Sequence, residues 1–169
     1  MASDKRVTRS SFADGLERIS SPRALPTVPD RIWSTAEWEL IQRGYRSHDM
    51  DEKWDAFVEG EVLFLHRSWT GLGAFEVTFG AAPGGRRITR IDKNGALKSG
   101  PGPQDEIDLV LVELVVSSII LGEPARELRA ELVELMTAGH PSENVPAAAL
   151  LHSIVGLRSG PLATIDPAG

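Results

Sequence analysis

Residues 54–79 read WDAFVEGEVLFLHRSWTGLGAFEVTF, and the rhythm of this stretch decides the fold class. Three strand-like runs, Trp54 to Val58, Val62 to Trp69 and Ala74 to Phe79, are separated by turn signals. Glu59-Gly60 reads as a two-residue hairpin loop and Thr70-Gly71-Leu72-Gly73 as a longer one. In the third run Phe75, Val77 and Phe79 fall on one face and Glu76 and Thr78 on the other, as a half-buried strand requires. The second run is apolar on both faces through Val62, Leu63, Phe64 and Leu65, which marks it as the best-covered, central strand. A fourth run, Arg87 to Asp92, follows a glycine-rich turn from Gly80 to Gly85. Connections this short leave no room for the crossovers that parallel neighbours need, so the runs predict an antiparallel meander of about four strands.

Helical signals flank the meander. Upstream, Ser34-Thr35-Ala36-Glu37 has the capping-box arrangement, with Trp33 and Trp38 at the positions of a hydrophobic staple. That helix is expected to run to about Arg43 and stop at Gly44, which tolerates the left-handed cap conformation. Downstream, Ser99-Gly100-Pro101-Gly102-Pro103 breaks the strand pattern, and Asp105, Glu106 and Asp108 suit the positive end of a helix over about 105–121. Apolar residues from Ile107 to Leu121 nearly surround its axis, which predicts deep burial or a subunit interface. Its β-branched content keeps a strand as the competing reading. Glu123-Pro124 starts a further helix with proline near N1, a buried stripe of Leu128, Leu132, Leu135 and Met136, and an end at Gly139. A shorter helix is expected from Pro146 to Val155, with Leu150, Leu151 and Ile154 facing inward. The class is therefore α+β, an antiparallel meander packed with three to four helices.

With 169 residues, 41% hydrophobic and 25% charged, the chain is long enough for one core and lies well inside the globular range. Residues 1–31, rich in serine, proline and scattered charge, form a polar N-terminal arm; residues 32–169 form the single domain. Phe12, Leu16 and Ile19 have the spacing of a short helical stripe that would dock part of the arm on the body. A net charge of -6 repels phosphate backbones and anionic lipid, so nucleic acid and membrane are not expected partners. The absence of cysteine excludes disulfides and thiolate chemistry and fits a reducing compartment. Residues 1–15 have no apolar run of signal-peptide length, and the expected location is the cytoplasm. Arginine outnumbers lysine fourteen to four, which points to a bacterium with a GC-rich genome.

Polar and aromatic residues are densest between His48 and Gly71. Alternation along a strand through residue 69 would place Leu63, Leu65, Arg67 and Trp69 on one face and Phe64, His66 and Ser68 on the other. Arg67 and Trp69 would then be neighbours able to grip a planar or anionic ligand by stacking and forked hydrogen bonds, unless Arg67 is taken by a structural partner such as Asp51 or Glu76. Nucleophilic catalysis by Ser68 with His66 fails on geometry, because positions i and i+2 of a strand are about 7 Å apart. His48, Asp49, Asp51 and His66 are oxygen and nitrogen donors without the spacing of a metal motif, so neither a metal nor a cofactor is expected. The glycines of residues 80–85 lack the Gly-Lys-Ser/Thr ending of a phosphate loop.

The strings Met50-Asp51-Glu52-Lys53-Trp54 and His66-Arg67-Ser68-Trp69-Thr70-Gly71 resemble the Met-Asp-x-Lys-Trp and His-Arg-Ser-Trp-Thr-Gly signature of a family of small uncharacterised bacterial proteins. The resemblance further implies an association of such segments with ADP-ribose- or nucleotide-processing domains. The resemblance spans residues 44–79, carries no established reaction, and points to Asp51, Lys53, Trp54, His66, Arg67, Ser68 and Trp69 as ligand-binding positions. The leading expectation is a non-catalytic module binding a small anionic ligand or a partner protein. The alternatives are an enzyme acting on a nucleotide-like or ADP-ribose-like substrate, with Asp51 or His66 as general base, and a structural homo-oligomer subunit.

Overall fold

The computed structural model describes residues 6–12, 15–97, 103–138 and 146–158. In chain order the elements are β1 (Arg23–Ala24), β2 (Ile32–Ser34), α1 (Thr35–Arg43), β3 (Trp54–Glu59), β4 (Val62–Arg67), β5 (Gly73–Ala82), β6 (Gly85–Lys93), α2 (Gln104–Leu114) continued by a π-helical segment (Val115–Ile120), α3 (Arg126–Ala138) and α4 (Ala147–Ile154). This is the α+β class, with an antiparallel meander at its centre. Strands β3 to β6 pair successively, and β1 and β2 both pair with the outer edge of β6, giving the order β1-β6-β5-β4-β3.

The position of the centre differs from expectation. β5 lies in the middle of the order and β4 lies beside it, although β4 is buried on both faces as its composition requires. The strands also run further into their turns. The β3–β4 loop is Gly60-Glu61, one residue later than expected, and the glycine-rich turn tightens to Pro83-Gly84, because pairing continues to Ala82 opposite Gly85. β1 and β2 had no sequence signal: two and three residues are too few to show a period.

Register sorts the sheet residues into two faces. Ala56, Leu65 and Phe75 are cross-strand partners, as are Val58, Leu63, Val77 and Ile91, and these side chains join α1, α2 and the π segment in the main core. Each fully buried aliphatic or aromatic side chain here contributes about 1.5–3 kcal/mol. On α1 the capping box forms as read: Ser34 N donates to Glu37 Oε1 at 2.8 Å and Glu37 N to Ser34 Oγ at 3.1 Å. Gly44 ends the helix at φ +73°, and a Cβ there would stand 2.4 Å from the Ala56 carbonyl oxygen.

Residues 105–120 are helical, which resolves the strand alternative, and the apolar girth of this segment is buried in the chain's own core. Its one inward acid, Asp108, is matched: Lys93 Nζ donates to Asp108 Oδ2 at 2.7 Å with both side chains almost fully buried. That pair ties β6 to α2. From Val115 the hydrogen bonding loosens into π geometry, Leu121 N reaching back to Val116 O at 3.1 Å. Helix α3 starts at Arg126 rather than at Pro124, because Ala125 takes φ +48° and breaks the helical run. The expected stop at Gly139 lies outside the described residues. No helix among the described residues is long and apolar enough to cross a membrane.

The opposite face of the sheet, bearing Phe57, Phe64 and His66, is covered by the N-terminal segment. Val7 N donates to Arg43 O at 2.7 Å, Phe12 packs on Phe57 at 6.0 Å, and Glu17 bridges Leu72 in parallel sense. The helical stripe read from Phe12, Leu16 and Ile19 does not form in the described residues: 9–11 make one 3-10 turn, and Glu17 is extended against Gly71 and Gly73. Gly71 permits this approach, with φ +70° and a hypothetical Cβ 1.7 Å from Gly15 O.

Candidate functional site

The signature residues converge on the C-terminal end of α4. Trp54 Nε1 donates to Ile154 O at 2.8 Å, and Arg67 donates from Nη1 to Ile154 O at 3.0 Å and from Nη2 to Ser153 O at 3.2 Å. The Arg67 guanidinium also stands 4.8 Å over the Trp54 ring, its cross-strand neighbour. Its partners are therefore helix-end carbonyls, not Asp51 or Glu76, and a cation at a helix C-terminus is favourably placed against the macrodipole. Burial lowers the Arg67 pKa.

The remaining signature positions lock the preceding loop. Ser68 Oγ donates to Glu52 O at 2.7 Å, Ser68 N to Lys53 O at 3.0 Å, Leu157 N to Asp51 O at 2.9 Å, and Lys53 Nζ to Met50 O at 2.8 Å. The Asp51 carboxylate meets His152 Nε2 at 3.0 Å. Five of the seven residues, Asp51, Lys53, Trp54, Arg67 and Ser68, thus form one clasp around α4. His66 and Trp69 stand apart. His66 lies on the other face, stacked 5.5 Å from Phe57 with Nδ1 2.9 Å from Gly71 O, and its pKa is lowered first by burial and then by the Arg9 charge. β4 ends at Arg67 and residues 68–70 turn away from the sheet, so strand alternation does not carry Trp69 onto the Arg67 face; its side chain is exposed.

The hub of the clasp is Glu52, within the string Met50-Asp51-Glu52-Lys53-Trp54. It is fully buried and accepts hydrogen bonds from Tyr45 Oη and His48 N, with His48 Nδ1 at 3.1 Å. Arg158 stands 4.7 Å over the Tyr45 ring and donates from Nη1 to the π-segment carbonyls of Ile119 and, at 2.9 Å, Ile120. Glu52 is therefore an interior group. No sequence signal separates it from its exposed neighbours Asp49 and Asp51. Among the described residues no trio of histidine and carboxylate side chains is placed to hold a metal ion.

A concave site lies elsewhere, between the π end of α2 and α3. This cleft, about 600 Å³, is lined by Arg31, Glu113, Glu123, Ala125, Arg126, Glu127 and Glu131. Arg31 anchors one wall. Its guanidinium lies 3.8 Å over the Trp33 ring and donates to Glu37 Oε2 at 2.9 Å, Glu123 Oε1 at 2.9 Å and Ser117 Oγ at 3.1 Å. The π segment turns Ser117 toward Arg31 and Ser118 toward Arg129, whose Nη2 donates to the Ser118 hydroxyl. Such π turns and positive-φ residues recur at functional sites.

Glu113 is the unusual group of the cleft. It is half-buried and makes no hydrogen bond or ion pair with another described residue. Burial raises its pKa, Arg31 opposes that rise, and the charges of Glu131 and Glu123 add to it. Its sequence signal is an acid interrupting the apolar run of a helix. The companions Arg31, Glu123 and Glu131 come from three other segments and could not have been grouped with it from spacing. Compared with known proteins, the chain has no significant match to any family model, curated protein or solved structure.

Proposed function

We propose that the protein is a non-catalytic binding module whose cleft between α2 and α3 takes a cationic group, an amine or the basic side chain of a partner protein. The observation that carries this reading is Glu113, a half-buried carboxyl with no hydrogen bond or ion pair to another described residue, in a cleft whose lining holds four carboxylates and two arginines. Arg31 is already engaged by Glu37 and Glu123, so the surplus negative charge falls on the Glu113 and Glu131 side. A bound cation would offset the cost of desolvation and reduce the repulsion. An anionic ligand at Arg67 would first have to break that residue's bonds to Ser153 and Ile154. A phosphate at the cleft would face a net negative wall.

A thermal-shift titration with spermidine and N-acetyl-lysinamide tests the reading. Wild type is stabilised, by about 1.4 kcal/mol at tenfold the Kd, and Glu113→Gln is not. Equal shifts in both proteins, or none in wild type, would refute it. Because the cation binds the ionised carboxyl, affinity rises with pH through the raised pKa of Glu113. A second reading, general acid chemistry, draws on the same group, since a carboxyl with raised pKa beside ionised ones is how acid and base roles are separated. Turnover of a bound ligand that Glu113→Gln abolishes would favour it.

A further inference from the structure

The face of the sheet beneath the N-terminal segment carries a second built arrangement. Phe57 of β3 and Phe64 of β4 are cross-strand partners, both buried, with rings parallel to within 8° and centres 5.0 Å apart. The Arg9 guanidinium stands 4.9 Å from each ring centre. Its Nε and Nη2 donate to the two carboxylate oxygens of Glu59 at 3.1 and 2.8 Å. Two aromatic faces with a forked carboxylate make a set that distinguishes a planar guanidinium from an ammonium, because only the guanidinium satisfies stacking and the fork together.

The groups that do the reading, Phe57, Glu59 and Phe64, belong to the sheet, while the group that is read belongs to the N-terminal segment. Both side chains of the Arg9–Glu59 pair are partly exposed, 36% and 48%, so water competes for the contact and it is held weakly. Arg18 repeats the arrangement more loosely, 5.9 Å from Phe64 and 3.4 Å from Glu76, with its side chain 65% exposed. Beside it an open cleft of about 310 Å³ is lined by Glu76 and by the Arg90–Asp92 ion pair.

We propose that this face is a binding site for an arginine-bearing segment of a partner protein, and that Arg9 occupies it in cis. The chain's net charge of -6 favours a basic partner. Arg9 reaches the site from a single 3-10 turn, Arg9–Ser11, and Glu17, further along the segment, is extended against Gly71 and Gly73. The site is separate from the Glu113 cleft and does not depend on the reading of that cleft.

The test is a titration of full-length Arg9→Ala with N-acetyl-argininamide, followed by thermal shift and by the aromatic ring resonances of Phe57 and Phe64. The expected result is binding by Arg9→Ala that is about tenfold tighter than by wild type, whose site is filled, and about tenfold tighter than that of N-acetyl-lysinamide. Glu59→Gln added to Arg9→Ala removes it. Arg9→Lys, which keeps the charge on the segment but loses the fork, should behave as Arg9→Ala and serves if that variant folds poorly. Absence of binding, equal binding of the lysine compound, or binding that survives Glu59→Gln would overturn the proposal. Concentration-dependent self-association of wild type that Glu59→Gln abolishes would overturn the partner in favour of exchange between copies of this chain.

Discussion

Replacing Arg67 with alanine strikes the clasp that holds α4. Its two bonds to the Ser153 and Ile154 carbonyls are charge-assisted, worth about 1.5–3 kcal/mol each when fully buried, and less here because the guanidinium keeps some solvent. The stacking on Trp54 at 4.8 Å adds about 0.5–1 kcal/mol. Against these stands the cost of burying the charge, which the lowered pKa of Arg67 records. The net loss is about 2–3 kcal/mol, a fall of about 5–10 °C in Tm for a chain of this size. The loss is local. Hydrogen exchange over residues 147–157 should accelerate by about 30- to 150-fold, while β5 amides change only as far as global stability falls. Arg67→Lys retains the charge and one bond, so it should lose about half as much. Unchanged exchange in α4 with an equal fall in Tm would refute the clasp and place the role of Arg67 elsewhere. A variant as stable as wild type would do the same.

Three other perturbations separate the contributions. Asp108→Ala leaves the Lys93 ammonium buried without its counter-ion and should cost about 3–5 kcal/mol in urea unfolding, whereas Lys93→Met combined with Asp108→Leu should recover most of it; an equally unstable double variant would show that the pair is not the cause. His66 is held below the ordinary imidazole pKa by burial, so the unfolded chain takes up a proton before the folded one does. Its contribution is therefore complete above about pH 6.5 and falls by up to about 1.4 kcal/mol per unit as pH drops toward the folded value; the difference between the wild-type and His66→Phe stability curves should show that slope, and parallel curves would contradict it. Glu113 runs the other way. Its raised pKa means that the stability it contributes is full below about pH 4.3 and is lost as pH rises, so Glu113→Gln should raise Tm at neutral pH, with the gap closing in acid. A variant less stable than wild type at pH 7 would mean that the carboxylate has a partner holding it ionised.

The meander and α1 were legible because their signals are local. Period-2 alternation in β5, two-residue turns and a Ser34–Glu37 capping box each specify a conformation within a few residues. Errors fell where a longer-range effect decided the outcome. Pairing across the sheet extended β5 and β6 into the glycine-rich turn, and the positive φ of Ala125 moved the start of α3 past a proline whose ring alone would have favoured it. β1 and β2 exist because β6 offers them an edge, a property of the sheet and not of Arg23–Ala24 or Ile32–Ser34.

The candidate site divides along the same line. A dense run of tryptophan, arginine, histidine and acid marks a place where many specific contacts are made, but density does not say whether those contacts point outward or inward. Here Trp54 and Arg67 spend their donors on the end of α4, and Glu52 receives its own from Tyr45 and His48. Where the strand ended decided the matter for Trp69, since a turn beginning at Ser68 removed it from the face that alternation assigns. The cleft draws Arg31, Glu113, Glu123 and Glu131 from four segments and owes its electrostatics to burial, which no spacing encodes. An acid interrupting an apolar helix was its one visible trace, and Asp108 shows why that trace is ambiguous. Both acids interrupt the same apolar run, yet Asp108 is neutralised by Lys93 from β6 while Glu113 opens onto the cleft. The direction of a side chain around the helix axis, five residues apart, separates an ion pair inside the core from a carboxyl that lines the cleft.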